Sequence, residues 1–345
     1  MHILEPDKFT LPFIDMVKSE FDSENHLFLC TSEPDPFLRK NNCNIKFLRN
    51  PYRRHLIENT ILFFSSVRGA SRIILHGNPL LFYFLLFPWL PSRTYWVIYG
   101  YEIDDRLIKI KRSLVNRLIR LYVLSRISGH ITHIKEDSDY ANSHFGSHAK
   151  FFYSPIYLSN VIDEKLILSE TNRILTNPIR ILVGNNTSPT NNHESIFRML
   201  LPFKDENILL FCPLSYGLYD EYRDMTIAKG RDYFGNRFVA MTEFMKPDTY
   251  KEFLNEIDIA IFNHQRQEGM VVIIQLLNLG KVIYMNSSTT SYKSFVSRGF
   301  RVFDNTLIGV DGLFMERDVS ENVSLARVYY SYERLLSSWN TIFDI

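Results

Sequence analysis

Cysteine is scarce. The 345 residues hold only Cys30, Cys43 and Cys212, with no CxxC spacing among them. An odd number without that spacing suggests neither a disulfide framework nor a zinc site, which fits a reducing cytoplasm. Charge of one sign is not in excess either: 39 Lys and Arg stand against 38 Asp and Glu, a formal net charge of +1. A surface adapted as a whole to nucleic acid carries a basic surplus, so any basic patch here is local and no nucleic-acid partner is expected. Long apolar runs are missing too. The most apolar stretch, "LLFYFLLFPWL" at residues 80–90, contains Pro88 and falls well short of the roughly 20 residues that cross a bilayer. The opening "MHILEPDKFTLPFIDMVKSEF" has acids from its start and no continuous apolar core, so no signal peptide is read there and the mature chain is expected to begin at Met1. There is no internal repeat, and 46% hydrophobic with 22% charged residues is ordinary globular composition, which sets aside disordered and solenoid architectures.

The length suits two domains of roughly 150 residues. Short β-rich runs at 26–32, 44–48, 72–77, 94–100 and 129–134 alternate with helical or loop segments. The rhythm repeats after residue 178, with nearly continuous apolar runs at 179–186, 207–217, 237–244, 257–263 and 280–286 that suit a parallel sheet covered on both faces. Two doubly wound α/β domains are predicted, 1–177 and 178–319, with the boundary near Asn177 and Pro178. Residues 320–345 read as a C-terminal helix able to pack back on the first domain. Ligands of such sheets lie beyond the carboxyl ends of the strands, so a cleft between the two domains is expected.

The loops at those ends are rich in polar residues. In "IDIAIFNHQRQEGMVVIIQLLNLG" a strand runs into His264, Gln265, Arg266, Gln267 and Glu268, and Gly269 opens an apolar helix. Free N–H groups and the helix dipole there attract an anion such as a diphosphate; Arg266 adds a full charge and Gly269 admits close backbone approach. A plain solvated loop is the competing reading. "VGNNTSPTNNHES" offers Gly184, Asn185, Ser188, Asn191, Asn192 and His193, which suit helix capping or contact with phosphate and sugar hydroxyls. "PLSYG" places Tyr216 in a turn able to cover a base. In the first domain "LHGNP" and "WVIYGYEIDD" bring His76, Glu102, Asp104 and Asp105 to strand ends, where a carboxylate suits a general base.

"HGNP", "WVIYGYEID", "ILVGNNTSPTNNHESIF", "PLSYG" and "FLNEIDIAIFNHQRQEGM" together resemble glycosyltransferase family 56, typified by the dTDP-4-acetamido-4,6-dideoxygalactose:lipid II transferase of enterobacterial common antigen synthesis. The resemblance runs from about residue 72 to about residue 305. It implies the GT-B fold, two Rossmann-like domains facing a central cleft, with the nucleotide sugar held mainly by the second. It further implies that Gly184, Asn185, Ser188, Asn192, His193, Arg266, Gln267 and Gly269 line the donor site, and that His76, Gly77, Gly100 and Glu102 face the acceptor. Glu102, or after it His76, is then the base.

A separate feature is "RLIKIKRSLVNRLIRLYVLSR", residues 106–126, basic throughout, free of acids and interleaved with Leu and Ile. Lys109, Lys111, Arg112 and Arg117 suit adsorption to an anionic leaflet; a helix packed on the sheet with its charges in water is the alternative. The expectation is a metal-independent hexosyltransferase, without cofactor, that moves a deoxyamino sugar from a nucleoside diphosphate to an undecaprenyl-diphosphate-linked saccharide for surface polysaccharide or O-antigen. It would work as a peripheral protein on the cytoplasmic face of the inner membrane. An epimerase-like enzyme of related two-domain fold and a non-catalytic sugar-binding protein are the alternatives.

Overall fold

Every strand pairing among the described residues is parallel, so each connection must cross over the sheet and most do so as helices. The computed structural model describes residues 1–32, 44–50, 54–77, 79–100, 102–103, 113–163, 176–217, 219–309 and 317–345. Lys109, Lys111, Arg112, Asp104 and Asp105 lie outside them. The chain divides into two units, Met1–Val161 with Tyr332–Ile345, and Ile162–Ser331.

In the first unit the elements are β1 (His2–Leu4), α1 (Thr10–Glu20), β2 (Phe28–Cys30), β3 (Ile45–Phe47), α2 (Leu56–Arg68), β4 (Ile73–His76), α3 (Tyr83–Leu86), β5 (Thr94–Val97), α4 (Leu114–Leu124), β6 (Gly129–Thr132), α5 (Lys135–Phe145) and β7 (Lys150–Tyr153). The seven strands lie in the order β3-β2-β1-β4-β5-β6-β7. The order reverses between β1 and β4, which opens a crevice at their carboxyl ends. Five of these strands match predicted runs; β1 and β7 do not. β1 has three residues before an acidic loop, and β7 is only partly buried at the sheet edge, so neither gives a periodic apolar signal.

The second unit holds β8 (Ile179–Val183), α6 (His193–Leu200), β9 (Ile208–Pro213), α7 (Asp220–Phe234), β10 (Phe238–Met241), α8 (Pro247–Glu256), β11 (Ile259–Phe262), α9 (Met270–Asn278), β12 (Val282–Met285), α10 (Thr290–Ser297), β13 (Phe303–Asp304) and α11 (Glu321–Tyr330). Its sheet order, β10-β9-β8-β11-β12-β13, reverses between β8 and β11. The five apolar runs predicted here all form strands, and the two-residue β13 was missed. β11 and β12 are buried along their whole length, as a sheet covered on both faces requires. Helix α9 is buried at seven positions, including Ile273, Ile274, Leu276 and Leu277. It stops in a left-handed turn at Gly280, where Lys281 N–H donates to Leu276 O at 3.0 Å and Gly280 N–H to Leu277 O at 3.1 Å.

The final helix, α12 (Tyr332–Phe343), belongs to the first unit. Leu335, Trp339 and Ile342 recur at helical spacing and enter one core with Phe13, Phe28, Ile74 and Val97. The Trp339 indole also donates to Ile156 O at 3.0 Å. Trp339→Ala should therefore cost about 3–5 kcal/mol, the range for emptying a buried aromatic site. Denaturant unfolding checks this; an unchanged midpoint would show that α12 is dispensable to that core.

Candidate active site

In the second unit the loops after β8 and β11 meet because two glycines let them. Gly184 has φ +66°, and a Cβ there would lie 2.4 Å from His193 Nε2 and 2.8 Å from Asn191 Oδ1. Gly269, the N-cap of α9 at φ +70°, would put a Cβ 2.9 Å from His264 Cε1 and 3.1 Å from Asn185 Cγ. Neither place admits a side chain.

Into this close approach the sequence sets a buried amide. Asn191 is fully buried; its Oδ1 accepts from Asn185 N–H at 2.9 Å and lies 3.1 Å from His264 Nε2. Its Nδ2 donates to Asn186 Oδ1 at 2.9 Å, which also accepts from Ser188 N–H at 2.7 Å. Glu268 ties the loops together from the other strand. Its Oε1 accepts from Asn186 Nδ2 at 3.0 Å and its Oε2 from the Thr190 hydroxyl, while Arg266 Nε sits 3.7 Å from Oε2. Ser188 and Thr190 share a hydroxyl contact at 2.7 Å. Asn186 and Thr190 had no expected role, and the staple links positions 82 and 78 residues apart, which no local motif reveals.

His193 begins α6 after Asn192, whose left-handed φ of 51° turns the chain. Asn192 makes no side-chain cap bond, so its expected capping role is replaced by this turn. The Tyr222 hydroxyl of α7 lies 3.1 Å from both the backbone N–H and Nδ1 of His193. A hydroxyl accepting from the backbone N–H can donate to Nδ1, the arrangement in which the imidazole hydrogen sits on Nε2. That atom is buried and has no hydrogen-bond partner. Burial lowers the His193 pKa to about 3, and His264 to about 4, so both rings are neutral at pH 7. Asn185 Oδ1 and Arg266 Nε are likewise buried without hydrogen-bond partners. The arrangement thus collects unspent polar atoms and a cationic side chain at the start of two helices, where phosphate oxygens are readily held. Gln267 is buried beside them. Tyr216 is 58% exposed in the turn after β9, whose backbone O accepts from Thr187 N–H at 2.9 Å.

In the first unit Glu102 and His76 are both buried. Glu102 Oε1 accepts from Tyr99 N–H at 2.8 Å, and its backbone O accepts from Arg120 Nη2 at 2.6 Å. Arg120, read from sequence as part of a basic face, points inward, whereas Arg117 is exposed. His76 Nδ1 lies 2.7 Å from Tyr157 OH and Nε2 lies 3.2 Å from His2 Nδ1, with burial lowering its pKa to about 3. Gly77 and Gly100 both have positive φ, and Tyr99 packs over Gly77. Tyr99, Tyr157 and His2 carried no sequence signal. Among the described residues no three or more His, Cys, Asp or Glu side chains are grouped to hold a metal ion.

Comparison with solved structures gives the architecture its name. HepE of Anabaena in complex with UDP-glucose is 12% identical over 100% of this chain and 99% of its own, with a TM-score of 0.70. A glycosyltransferase of Rickettsia africae is 10% identical over 99% of this chain and 97% of its own, with a TM-score of 0.64. The fold is GT-B. Residues 8–305 match the family described as 4-alpha-L-fucosyltransferase, glycosyl transferase group 56, which sets aside the epimerase-like and non-catalytic alternatives. The chain is a glycosyltransferase and belongs to glycosyl transferase group 56.

Proposed function

We propose that the protein transfers a 4-acetamido-4,6-dideoxyhexose from a dTDP donor to a saccharide linked to undecaprenyl diphosphate, in surface-polysaccharide or O-antigen synthesis. The observation that carries the donor half is the meeting of the β8 and β11 loops, where the His193 Nε2 hydrogen, Arg266 and the first N–H groups of α9 suit the leaving diphosphate. Gly184, Asn185, Ser188, Asn192 and Gln267 shape the walls, and Tyr216 covers the base. That HepE binds UDP-glucose supports a nucleoside-diphosphate sugar as the ligand class. The particular sugar and nucleotide rest on the motif resemblance.

A lipid-linked acceptor is supported by the surface of the first unit. Helices α2, α3 and α4 pack on one core containing Phe63, Phe84 and Val123. Outward they carry Ile57 (77% exposed), Ile61, Leu86, Leu114 (75%), Val115 and Leu118, with exposed Trp89 just after α3. Scattered exposed apolar residues need no explanation, but this many on neighbouring helices mark an interaction face. Arg117 is exposed on α4, and the sequence just before that helix supplies Lys109, Lys111 and Arg112, so the reading is adsorption to an anionic membrane leaflet, the cytoplasmic side of the inner membrane. No described helix is long and apolar enough to cross a membrane.

Four outcomes test these assignments. Arg266→Ala should weaken dTDP binding by about 1.5–3 kcal/mol, the range for a charge-assisted hydrogen bond, with the melting temperature retained; calorimetry showing unchanged affinity would remove Arg266 from the site. Leu118→Asp together with Arg117→Gln should leave the protein unbound in flotation with phosphatidylserine vesicles, whereas equal flotation of variant and parent rejects this face. The reaction itself is read as dTDP release from dTDP-4-acetamido-4,6-dideoxygalactose that depends on an undecaprenyl-diphosphate saccharide; no dependence refutes the acceptor. In that assay Glu102→Gln, which still accepts from Tyr99 N–H, should lower turnover by about 10²- to 10⁴-fold if Glu102 takes the acceptor proton. Near-normal turnover would reduce Glu102 to an anchor of its loop.

A further inference from the structure

At the β1–β4 crevice of the first unit, five side chains form an unbroken row of hydrogen bonds. Tyr99 OH lies 2.5 Å from Tyr157 OH, which lies 2.7 Å from His76 Nδ1. His76 Nε2 lies 3.2 Å from His2 Nδ1, and His2 Nε2 lies 3.1 Å from His26 Nδ1. The inner members Tyr157, His76 and His2 are buried; Tyr99 and His26 at the ends are partly exposed. The walls are apolar: Phe28 stacks on His2 at 4.7 Å, and Phe13 packs against both His2 and His76. Apolar side chains would fill this space without the cost of satisfying four inner polar links.

Burial holds His76 at about 3, His26 at about 4 and His2 well below the ordinary histidine value, so all three rings are neutral at pH 7. Burial also raises the Tyr157 phenol well above its usual range, so it keeps its hydrogen. A neutral imidazole has one N–H and one lone pair, and a hydroxyl has both functions. A row of such groups holds one hydrogen in each link. When every hydrogen moves one link along, a proton enters at one end and leaves at the other with no isolated charge stranded inside.

We propose that this row is a proton path that drains the acceptor hydroxyl during glycosyl transfer. The proposal rests on reading the first unit as the acceptor unit. The acceptor oxygen bonds to the anomeric carbon while the bond from that carbon to the diphosphate oxygen breaks, and its electron pair leaves with the diphosphate. On this path the acceptor's proton passes to the Tyr99 hydroxyl rather than to Glu102, whose carboxylate accepts from the Tyr99 backbone N–H, and Tyr99 hands its own hydrogen to Tyr157. Tyr157 then donates to His76 Nδ1, His76 donates from Nε2 to His2 Nδ1, and His2 donates from Nε2 to His26 Nδ1. His26 releases its Nε2 hydrogen to water. His2, His26, His76 and Tyr157 thus act through Tyr99 and do not touch the sugar.

The test cuts the row at its middle and at its His26 end. His2→Phe keeps an aromatic ring against Phe28 and should lower kcat about tenfold or more, with the KM of dTDP-4-acetamido-4,6-dideoxygalactose and of the lipid-linked saccharide unchanged. Turnover in mixtures of light and heavy water should show several protons in flight in the parent and a single one in the variant. His26→Ala should lose turnover similarly and regain it when imidazole is added to the buffer, a rescue that a packing role does not give. A third arm needs no substrate: in protein with ¹⁵N-labelled histidine, Tyr157→Phe should shift the tautomer balance of His76, His2 and His26 together. A folded His2→Phe variant with parental kcat and isotope dependence overturns the path, as do ring signals that change at His76 alone. If the parent protein moves sugar to no lipid-linked saccharide, the acceptor reading fails, and the labelled-ring arm still decides whether the row is coupled.

Discussion

The geometry where the β8 and β11 loops meet depends on the absence of two side chains. At Gly184 and Gly269 the backbone passes so close to His193, Asn191, His264 and Asn185 that any Cβ would clash. With both positions bare, Asn191 can satisfy backbone and side-chain groups of both loops from full burial. The loops are then rigid enough for Glu268 to staple Asn186 and Thr190. Only with this frame fixed do His193 Nε2 and Arg266 present polar atoms without hydrogen-bond partners. The site's rigidity comes from amides and a carboxylate already spent on each other, and its binding capacity from the few groups left over.

What neighbouring residues write together is legible in the sequence. Strands β11 and β12 are legible because burial on both faces demands continuous apolar runs, and α9 because a buried helix bounded by Gly269 and Gly280 needs both a start and a stop. The polar loops are legible as loops because Gly, Asn and Ser cluster there. Partnership across the fold is not. His76 could be placed at a strand end, but His2 and Tyr157, 74 and 81 residues away, convert it from an isolated candidate into one member of a row. Arg120 shows the reverse error: in a run of basic residues it looks like its neighbours, yet helical phase turns it inward to the Glu102 carbonyl. Edge strands β7 and β13, short and half-buried, lack the pattern that marks the centre of a sheet.

The two sheets share one order through six strands, and the roles proposed at their crevices differ. Each reverses direction beside its first strand, and each gathers histidines at that reversal: His193 and His264 in one, His2 and His76 in the other. Burial keeps all four neutral, and neutrality serves different purposes. In the proposed donor site a neutral ring can serve as a hydrogen-bond donor, and the full positive charge that a diphosphate calls for falls to Arg266. At the β1–β4 crevice a neutral ring both accepts and donates, which a protonated ring cannot do. A single buried imidazolium there would hold two hydrogens and break the row at its own position. The apolar walls around His2 are therefore as necessary to a proton path as the nitrogens themselves, because they hold the rings in the one protonation state in which a hydrogen received can be passed on.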